Sequence, residues 1–217
     1  RAQVNLVTVS GLVVSVFVRK ENEHLTALDI WDRNRLAYRT RAVSHSTQPD
    51  IKHSEILVLE ATTFRLRAII DRPFPRRIER LAAGAAHVLA LDSSAAVWTW
   101  GDNASGACGV PAGVSTSSPV LVPFFHRHEL HPIRIAAFAH QSAAIDGQAL
   151  WWWGTNGVEK GPVLEPAVLM AAEGIADVRL GVSHGIALVD HNVYTWGSNI
   201  NGECGFPESV TKVSWSV

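Results

Sequence analysis

Short runs in which every second residue is apolar recur along this chain of 217 residues. Polar turn sequences separate them, such as Asp-Ser-Ser at 92–94, Asp-Gly at 146–147 and Asp-His-Asn at 190–192. Alternation with a period of two is typical of β-strands that bury one face of a sheet, and no stretch keeps the period of a helix. The pattern therefore predicts an all-β protein of antiparallel sheets joined by tight turns.

Two stretches of the chain are near copies of each other. VWTWGDNASGACG spans residues 97–109, VYTWGSNINGECG spans 193–205, and a Gly-x-x-His sequence precedes each of them. A degenerate third copy lies between them at 133–156, where Phe138 replaces the glycine and Gln141 replaces the histidine. The glycines that follow the last tryptophan of each copy are 53 and 43 residues apart. A period of this length indicates one structural unit per repeat.

The repeated unit has the length and alternation of a four-stranded sheet. A single half-buried sheet is not stable alone in water, whereas radial stacking of several sheets buries both faces of each. We therefore predict a β-propeller, partial or a fragment, with roughly four blades made of four-stranded antiparallel sheets. The repeats are assigned to residues 78–132, 133–177 and 178–217.

Residues 1–77 contain no legible copy of the repeat. They do contain strand-like runs, at 4–18 with a turn near Gly11, and at 25–31, 54–61 and 64–70. We expect these runs to form one or two divergent blades of the same propeller. A separate domain is the alternative.

The order Gly-x-x-His-x-x-x-Leu, then Val-Trp/Tyr-x-Trp-Gly-x-Asn-x-x-Gly-x-x-Gly, resembles the repeat of the regulator of chromosome condensation family. The resemblance covers residues 78–217, with two good matches and one poor one, and it implies the seven-bladed propeller of that family. Seven blades cannot close from this chain alone, so we expect part of a longer protein or an open arc. The first residue, Arg1, favours a fragment or a processed chain.

The repeated residues are interpreted as structural. The paired tryptophans of a strand fill the gap between neighbouring sheets, the glycines allow a tight corner, and the asparagine bonds the backbone of that corner. Each histidine is expected to satisfy backbone groups within its own blade. The residues assigned to this structural repeat motif are Gly84, His87, Trp98, Trp100, Gly101, Asn103, Gly106, Gly109, Trp151, Trp153, Gly154, Asn156, Gly181, His184, Trp196, Gly197, Asn199, Gly202 and Gly205.

Trp152 is the unusual residue of the Trp-Trp-Trp run at 151–153, because the other copies have Thr99 and Thr195 at its position. Its side chain is predicted on the opposite face of the strand from the two neighbouring tryptophans. We expect it to pack against the next blade. The alternative is an aromatic contact with a partner protein.

Two further features raise the question of a chemical site. Cys108 and Cys204 occupy matching positions in the two good corners, and we interpret them as small apolar filler. His126, His128 and His131 lie in the sequence HRHELH, which does not match a zinc-protease motif. We expect a solvated loop there, and a zinc site is the alternative.

Composition and charge exclude several function classes. Only 18% of the residues are charged and the net charge is −1, which gives no overall attraction to nucleic acid or anionic membranes. The charge is uneven, with 14 Lys and Arg against 9 Asp and Glu in residues 1–80, and 5 against 11 in residues 81–217. No phosphate-binding loop, dinucleotide fingerprint, nucleophile elbow or carboxylate pair is visible. We therefore predict no catalytic residue, no cofactor and no metal.

The function predicted from these observations is a non-catalytic module that binds a partner protein through its loops. The resemblance implies a narrower version, guanine-nucleotide exchange on a small GTPase. Exchange requires no covalent chemistry, because preferential binding of the nucleotide-free GTPase lowers its affinity for nucleotide.

An alternative is a regulatory subunit in tRNA wobble-uridine or diphthamide modification. The cysteine-containing corners and the Phe-x-x-Gln of the middle copy also resemble the alpha-tubulin suppressor-like members of the family. Chromatin binding is disfavoured because the repeat half is acidic. The expected partner is a small GTPase or a regulatory complex, with no membrane, and nucleic acid disfavoured, in the cytoplasm, the nucleus or both.

Overall fold

The described residues form four antiparallel four-stranded sheets, which lie in two compact units, Arg1–Arg77 and Ile78–Val217. Neighbouring strands of each sheet follow one another along the chain, as in a meander. In the computed structural model the described residues are those numbered 4–8, 13–19, 54–60, 66–70, 74–76, 78–111, 115–156, 161–207 and 212–213.

The first unit contains one sheet. Its strands are β1 (Val4–Thr8), β2 (Val13–Arg19), β3 (Ser54–Glu60) and β4 (Leu66–Ile70). The strand pair expected at 4–18 and the two runs after residue 53 are therefore confirmed. The run expected at 25–31 lies outside the described residues, and membership of the first sheet in the propeller stays a prediction.

The second unit contains three sheets. The first consists of β5 (Ile78–Ala83), β6 (His87–Asp92), β7 (Val97–Gly101) and β8 (Thr116–Leu121). The second consists of β9 (Arg134–Phe138), β10 (Gln141–Ile145), β11 (Ala149–Gly154) and β12 (Val163–Ala171). The third consists of β13 (Ile175–Leu180), β14 (His184–Val189), β15 (Asn192–Ser198) and β16 (Lys212–Val213).

Apolar clusters between consecutive sheets hold the second unit together. Between the first and second sheets they are Leu89, Leu91, Val97, Val122, Phe125, Ile135, Ala144 and Trp153. Between the second and third they are Ala136, Ala143, Ile145, Leu150, Met170, Ile175, Val178, Ala187, Val189 and Trp196. The first strand of the second sheet, β9, lies against β5 on one side and against β13 on the other, as the inner strands of a propeller do. The prediction of an all-β propeller of four-stranded blades is confirmed.

In the part of the chain that the structure describes, one short helix lies between the strands. Helix α1 (Pro123–Arg127) lies between β8 and β9. The solvated loop expected at residues 126–131 therefore begins with the last two residues of a helix, and residues 128–131 follow it outside any helix or strand. Pro123 suits the first turn because that position has no backbone acceptor for an N–H group. Phe125 is buried, and its ring lies 5.8 Å from that of Trp153 in an edge-on arrangement. The helix therefore forms because its aromatic side chain fills the space between two sheets. Within the described residues no helix is long and apolar enough to cross a bilayer.

Candidate functional site

In the first and third sheets of the second unit, one asparagine holds the glycine-rich corner that follows the third strand. Oδ1 of Asn103 accepts the backbone N–H of Cys108 at 3.0 Å, and its Nδ2 donates to the carbonyl of Val110 at 3.2 Å. Asn199 makes the same pair of bonds in the third sheet, to the N–H of Cys204 at 2.9 Å and to a carbonyl at 3.2 Å. Both asparagines are fully buried, so the bonds satisfy polar groups that water cannot reach.

The corner begins at a glycine for a steric reason. Gly101 has φ +110°, a conformation that side chains disfavour, and a Cβ atom there would overlap the carbonyl oxygen of Ala86. Gly154 and Gly197 have φ +95° and +100° at the same place in the other two sheets, and each would overlap the carbonyl of a β-turn residue. The strand pair and the corner therefore approach each other too closely for any side chain.

His87 connects the first sheet to the second. Its Nε2 lies 2.8 Å from Oγ of Ser142, which in turn donates to the carbonyl of Ala107 at 2.7 Å. Because the hydroxyl hydrogen is used in that bond, Oγ accepts a hydrogen bond from the Nε2–H group of His87. The expectation that this histidine bonds only within its own blade was wrong, since Ser142 belongs to the next sheet. A Cβ atom at Gly84 would overlap the His87 ring, which explains the Gly-x-x-His spacing.

The packing of the first sheet against the second keeps the His87 imidazole neutral. Burial, together with the nearby His140, lowers the pKa of His87 to about 4. The imidazole is therefore a fixed donor at neutral pH. Nε1 of Trp153 donates to the same Ala107 carbonyl at 2.8 Å, so one backbone oxygen receives two bonds from the second sheet.

The middle repeat uses glutamine where the first repeat uses histidine. Nε2 of Gln141 donates to the carbonyls of Gly181 and Val182 in the third sheet, at 2.8 and 2.9 Å. Its Oε1 accepts the indole N–H of Trp152 at 3.0 Å. Trp152 is buried, which corrects the alternative of a partner contact at this residue. Two of the residues by which the middle copy departs from the motif, Gln141 and Trp152, thus bond to each other.

The other tryptophan of each pair is anchored by an aspartate that the sequence interpretation missed. Nε1 of Trp98 donates to Oδ2 of Asp92, and Nε1 of Trp151 donates to Oδ2 of Asp146, both at 2.9 Å. Each aspartate lies in the turn before the tryptophan strand. Its recurrence in both turns was the available signal, but Asp also occurs in such turns without any side-chain partner.

The cysteines and the histidine cluster show no metal chemistry. Cys108 and Cys204 are free and buried, and burial raises the pKa of both thiols. His126 and His128 are exposed on and just after α1. Among the described residues, no three His, Cys, Asp or Glu side chains are placed to hold one ion.

The turns that join the first and second strands converge at one end of the second unit. We call this end the turn end; it comprises residues 84–86, 138–140 and 181–183, and Phe138 is the last residue of β9. The N–H of Ala85 donates to the carbonyl of Ala139 at 2.7 Å, and Gln141 bonds the third turn. Phe138 and Val182 are exposed here, by 44% and 64%. The turn end therefore combines turns that are hydrogen-bonded to one another with exposed apolar side chains.

Comparisons with known proteins agree with this geometry. Models of the regulator of chromosome condensation (RCC1) repeat match residues 78–107 and 94–145. The ultraviolet-B receptor UVR8 of Arabidopsis thaliana is 26% identical over 62% of this chain and 33% of the receptor. Alsin of Rattus norvegicus is 32% identical over 50% of this chain and 7% of alsin. The matched segments thus span a third or less of these two relatives.

Solved structures share the fold. Prp20p from Saccharomyces cerevisiae, described with its binding properties to Gsp1p and histones, has a TM-score of 0.55 and 21% identity, covering 71% of this chain and 42% of Prp20p. Human WBSCR16 has a TM-score of 0.61 and 15% identity, covering 98% of this chain and 67% of that protein.

Proposed function

Because residues 78–145 belong to the regulator of chromosome condensation repeat family, we propose that the chain is a non-catalytic protein-interaction module that binds its partner at the turn end. The observation that carries this proposal is the exposure of Phe138 and Val182 on turns that are bonded to one another. Apolar side chains on a rigid surface favour protein binding, since little conformational freedom is lost when the partner covers them.

The proposal assigns no catalysis to the Ser142–His87 pair, although its 2.8 Å separation is that of a nucleophile and its base. Both residues are buried between two sheets, where a substrate does not reach them. The serine proton is also directed at the Ala107 carbonyl rather than at the histidine. The hydrogen bond between the two residues therefore stabilises the contact between the first and second sheets.

Within this proposal, the partner is a small GTPase whose nucleotide exchange the module accelerates. Support comes from the family resemblance and from the likeness to the fold of Prp20p. The turn end would bind the nucleotide-free GTPase more tightly than the loaded form, which lowers nucleotide affinity by linkage.

Release of a fluorescent GDP analogue from a panel of small GTPases tests the exchange activity. We expect the wild-type chain to accelerate release from one of them, and Phe138→Asp to abolish most of the acceleration because a carboxylate is costly to bury. Val168→Asp is the matched control, since Val168 is equally exposed but lies on the outermost strand β12. No acceleration of any GTPase contradicts the exchange-factor proposal.

The proposal that the turn end binds a partner protein, of whatever class, has a separate test. A photo-crosslinking amino acid is placed at position 138 in one variant and at position 168 in another, and both are expressed in cells. We expect discrete adducts of higher mass from position 138 only. Adducts from neither position, or the same adducts from both, contradict a binding surface at the turn end.

A further inference from the structure

The corner of the third repeat contains an asparagine followed by a glycine, Asn201 and Gly202. The chain has one other asparagine–glycine pair, which begins at Asn156. Asn201 is exposed, whereas Asn156 is buried, with 7% of its surface exposed. In such a pair the backbone nitrogen of the glycine can attack the side-chain amide of the asparagine, because glycine has no side chain that obstructs the approach. The two pairs therefore share a reactive sequence but differ in exposure.

The turn around Asn201 leaves space for this attack. The N–H of Gly202 donates to the carbonyl of Asn199 at 3.2 Å, which makes Ile200 and Asn201 the central residues of a β-turn. Both central residues are exposed, so local opening of the turn costs little free energy. The nearest atom to a Cβ built on Gly202 is the carbonyl oxygen of Phe206, at 3.9 Å. A ring that joins residues 201 and 202 therefore meets no steric obstacle at the glycine.

The Glu203 carboxylate restrains the reacting amide. Its Oε2 accepts the backbone N–H of Asn201 and its Oε1 accepts Nδ2 of the same residue, both at 2.9 Å. The backbone N–H of Glu203 and these two bonds from Asn201 lower the pKa of the Glu203 carboxyl, so it is ionised at neutral pH. Attack by the Gly202 nitrogen requires rotation of the Asn201 side chain. The bonds to Glu203 must therefore open before the reaction can start.

We propose that Asn201 is a site of spontaneous deamidation and that the Glu203 carboxylate sets its rate. The Gly202 nitrogen gives its proton to water and forms a bond to Cγ of Asn201. The bond from Cγ to Nδ2 breaks, and Nδ2 takes a proton from water and leaves as ammonia. Water then opens the cyclic imide at either of its carbonyl groups, which yields aspartate or isoaspartate at position 201. The site lies outside the turn end, and the inference does not rest on the proposed function.

Isoaspartate at this position changes the corner, because it adds a methylene carbon to the backbone between Asn199 and Cys204. Oδ1 of Asn199 accepts the N–H of Cys204 at 2.9 Å, and its Nδ2 donates to the carbonyl of Phe206 at 3.2 Å. A longer backbone within this span moves Cys204 relative to Asn199 and weakens both bonds. Cys204 is 5% exposed, so loosening of the corner makes its thiol accessible.

The first corner supplies matched substitutions. Ser105 and Ala107 occupy the places that Asn201 and Glu203 occupy in the third corner. Asn201→Ser therefore removes the reacting amide, and Glu203→Ala removes the restraining carboxylate. Each variant carries a residue that is present at the equivalent place of a folded corner.

The experiment follows both asparagine–glycine pairs in the full chain. Wild type and the two variants are kept at mildly alkaline pH and body temperature, and samples are taken over several weeks. Trypsin separates Asn156 and Asn201 into different peptides, in which mass spectrometry measures conversion to aspartate and isoaspartate. The reaction of Cys204 with a thiol reagent is measured in the same samples, with the fully buried Cys108 as the control for global unfolding.

We expect conversion at Asn201 to be at least about tenfold faster than at Asn156, because the exposed turn opens more often. Glu203→Ala should accelerate conversion at Asn201 by about three- to tenfold, since it removes two hydrogen bonds. The reactivity of Cys204 should increase with storage in the wild type and stay constant in Asn201→Ser.

Equal conversion at the two asparagines overturns the proposal, as does a Glu203→Ala variant that reacts no faster than the wild type. If Glu203→Ala accelerates conversion at Asn156 to the same degree and makes Cys108 reactive, unfolding of the whole unit controls the reaction. That result also overturns the role assigned to Glu203.

Discussion

The indole N–H of Trp152 donates to Oε1 of Gln141 at 3.0 Å, and both residues depart from the repeat motif. The other copies have threonine and histidine at these two positions. Gln141 uses its remaining donor group to bond the turn of the third sheet. These two exceptional residues of the middle repeat therefore have a structural role, since they form one connected polar group between sheets.

Exchanging these residues for their counterparts tests the pairing. We expect Trp152→Thr to lower the free energy of unfolding by about 3 kcal/mol, because it leaves a cavity and an unpaired acceptor. Gln141→His should cost about 2 kcal/mol through lost bonds to the third sheet. The double variant should be more stable than the sum of the two costs by at least about 1 kcal/mol. Urea unfolding followed by fluorescence measures all three, and strictly additive costs contradict the pairing.

His87 gives the protein a pH dependence with a defined direction. Its pKa is about 4 in the folded chain, below the usual 6.5, so the unfolded chain takes up the proton first as pH falls. The stabilising contribution is complete above about pH 6.5 and is lost as pH decreases to about 4. The full difference is about 3 kcal/mol.

We expect His87→Gln to remove most of this pH-dependent loss, because glutamine is neutral and already serves at the equivalent position 141. Denaturant unfolding at several pH values between 7 and 4 measures the difference between the two profiles. His128→Gln is the control, since that imidazole is exposed. Parallel profiles for the wild type and His87→Gln would contradict the assignment.

The sequence predicted the elements well because their determinants are local. Alternation defines the strands, and Asn103 bonds backbone groups only five and seven residues away. The bond from His87 to Ser142 spans 55 residues, and no local pattern specifies that partner. Helix α1 was not predicted for the same reason, because it is stabilised by the contact of Phe125 with Trp153 of the later strand β11.

The candidate site was less predictable than the fold. Phe138 was read only as a replacement for a glycine, and its exposure follows from the convergence of three turns that are about fifty residues apart. The difference in burial between Leu91 and Leu188 was also not predictable, because the two leucines occupy identical places in the motif. Only the neighbouring sheet distinguishes a covered leucine from an uncovered one.

These two leucines form a matched pair for a stability test. We expect Leu91→Ala to lower the free energy of unfolding by about 3 kcal/mol, since it opens a cavity between two sheets. Leu188→Ala removes the same atoms from an exposed position and should cost less than about 1 kcal/mol. Urea unfolding at neutral pH provides both values. Similar costs for the two would show that Leu188 is covered in solution.

Alanine substitutions at Gly109 and Gly205 distinguish the cost of backbone strain from the cost of contact with the next sheet. Their φ angles are +65° and +80°, so alanine at either position costs about 1 kcal/mol from its conformation alone. At Gly109 the new methyl group also meets the ring of Trp153, which should add about 1–3 kcal/mol. We therefore expect Gly109→Ala to be clearly more destabilising than Gly205→Ala in urea unfolding.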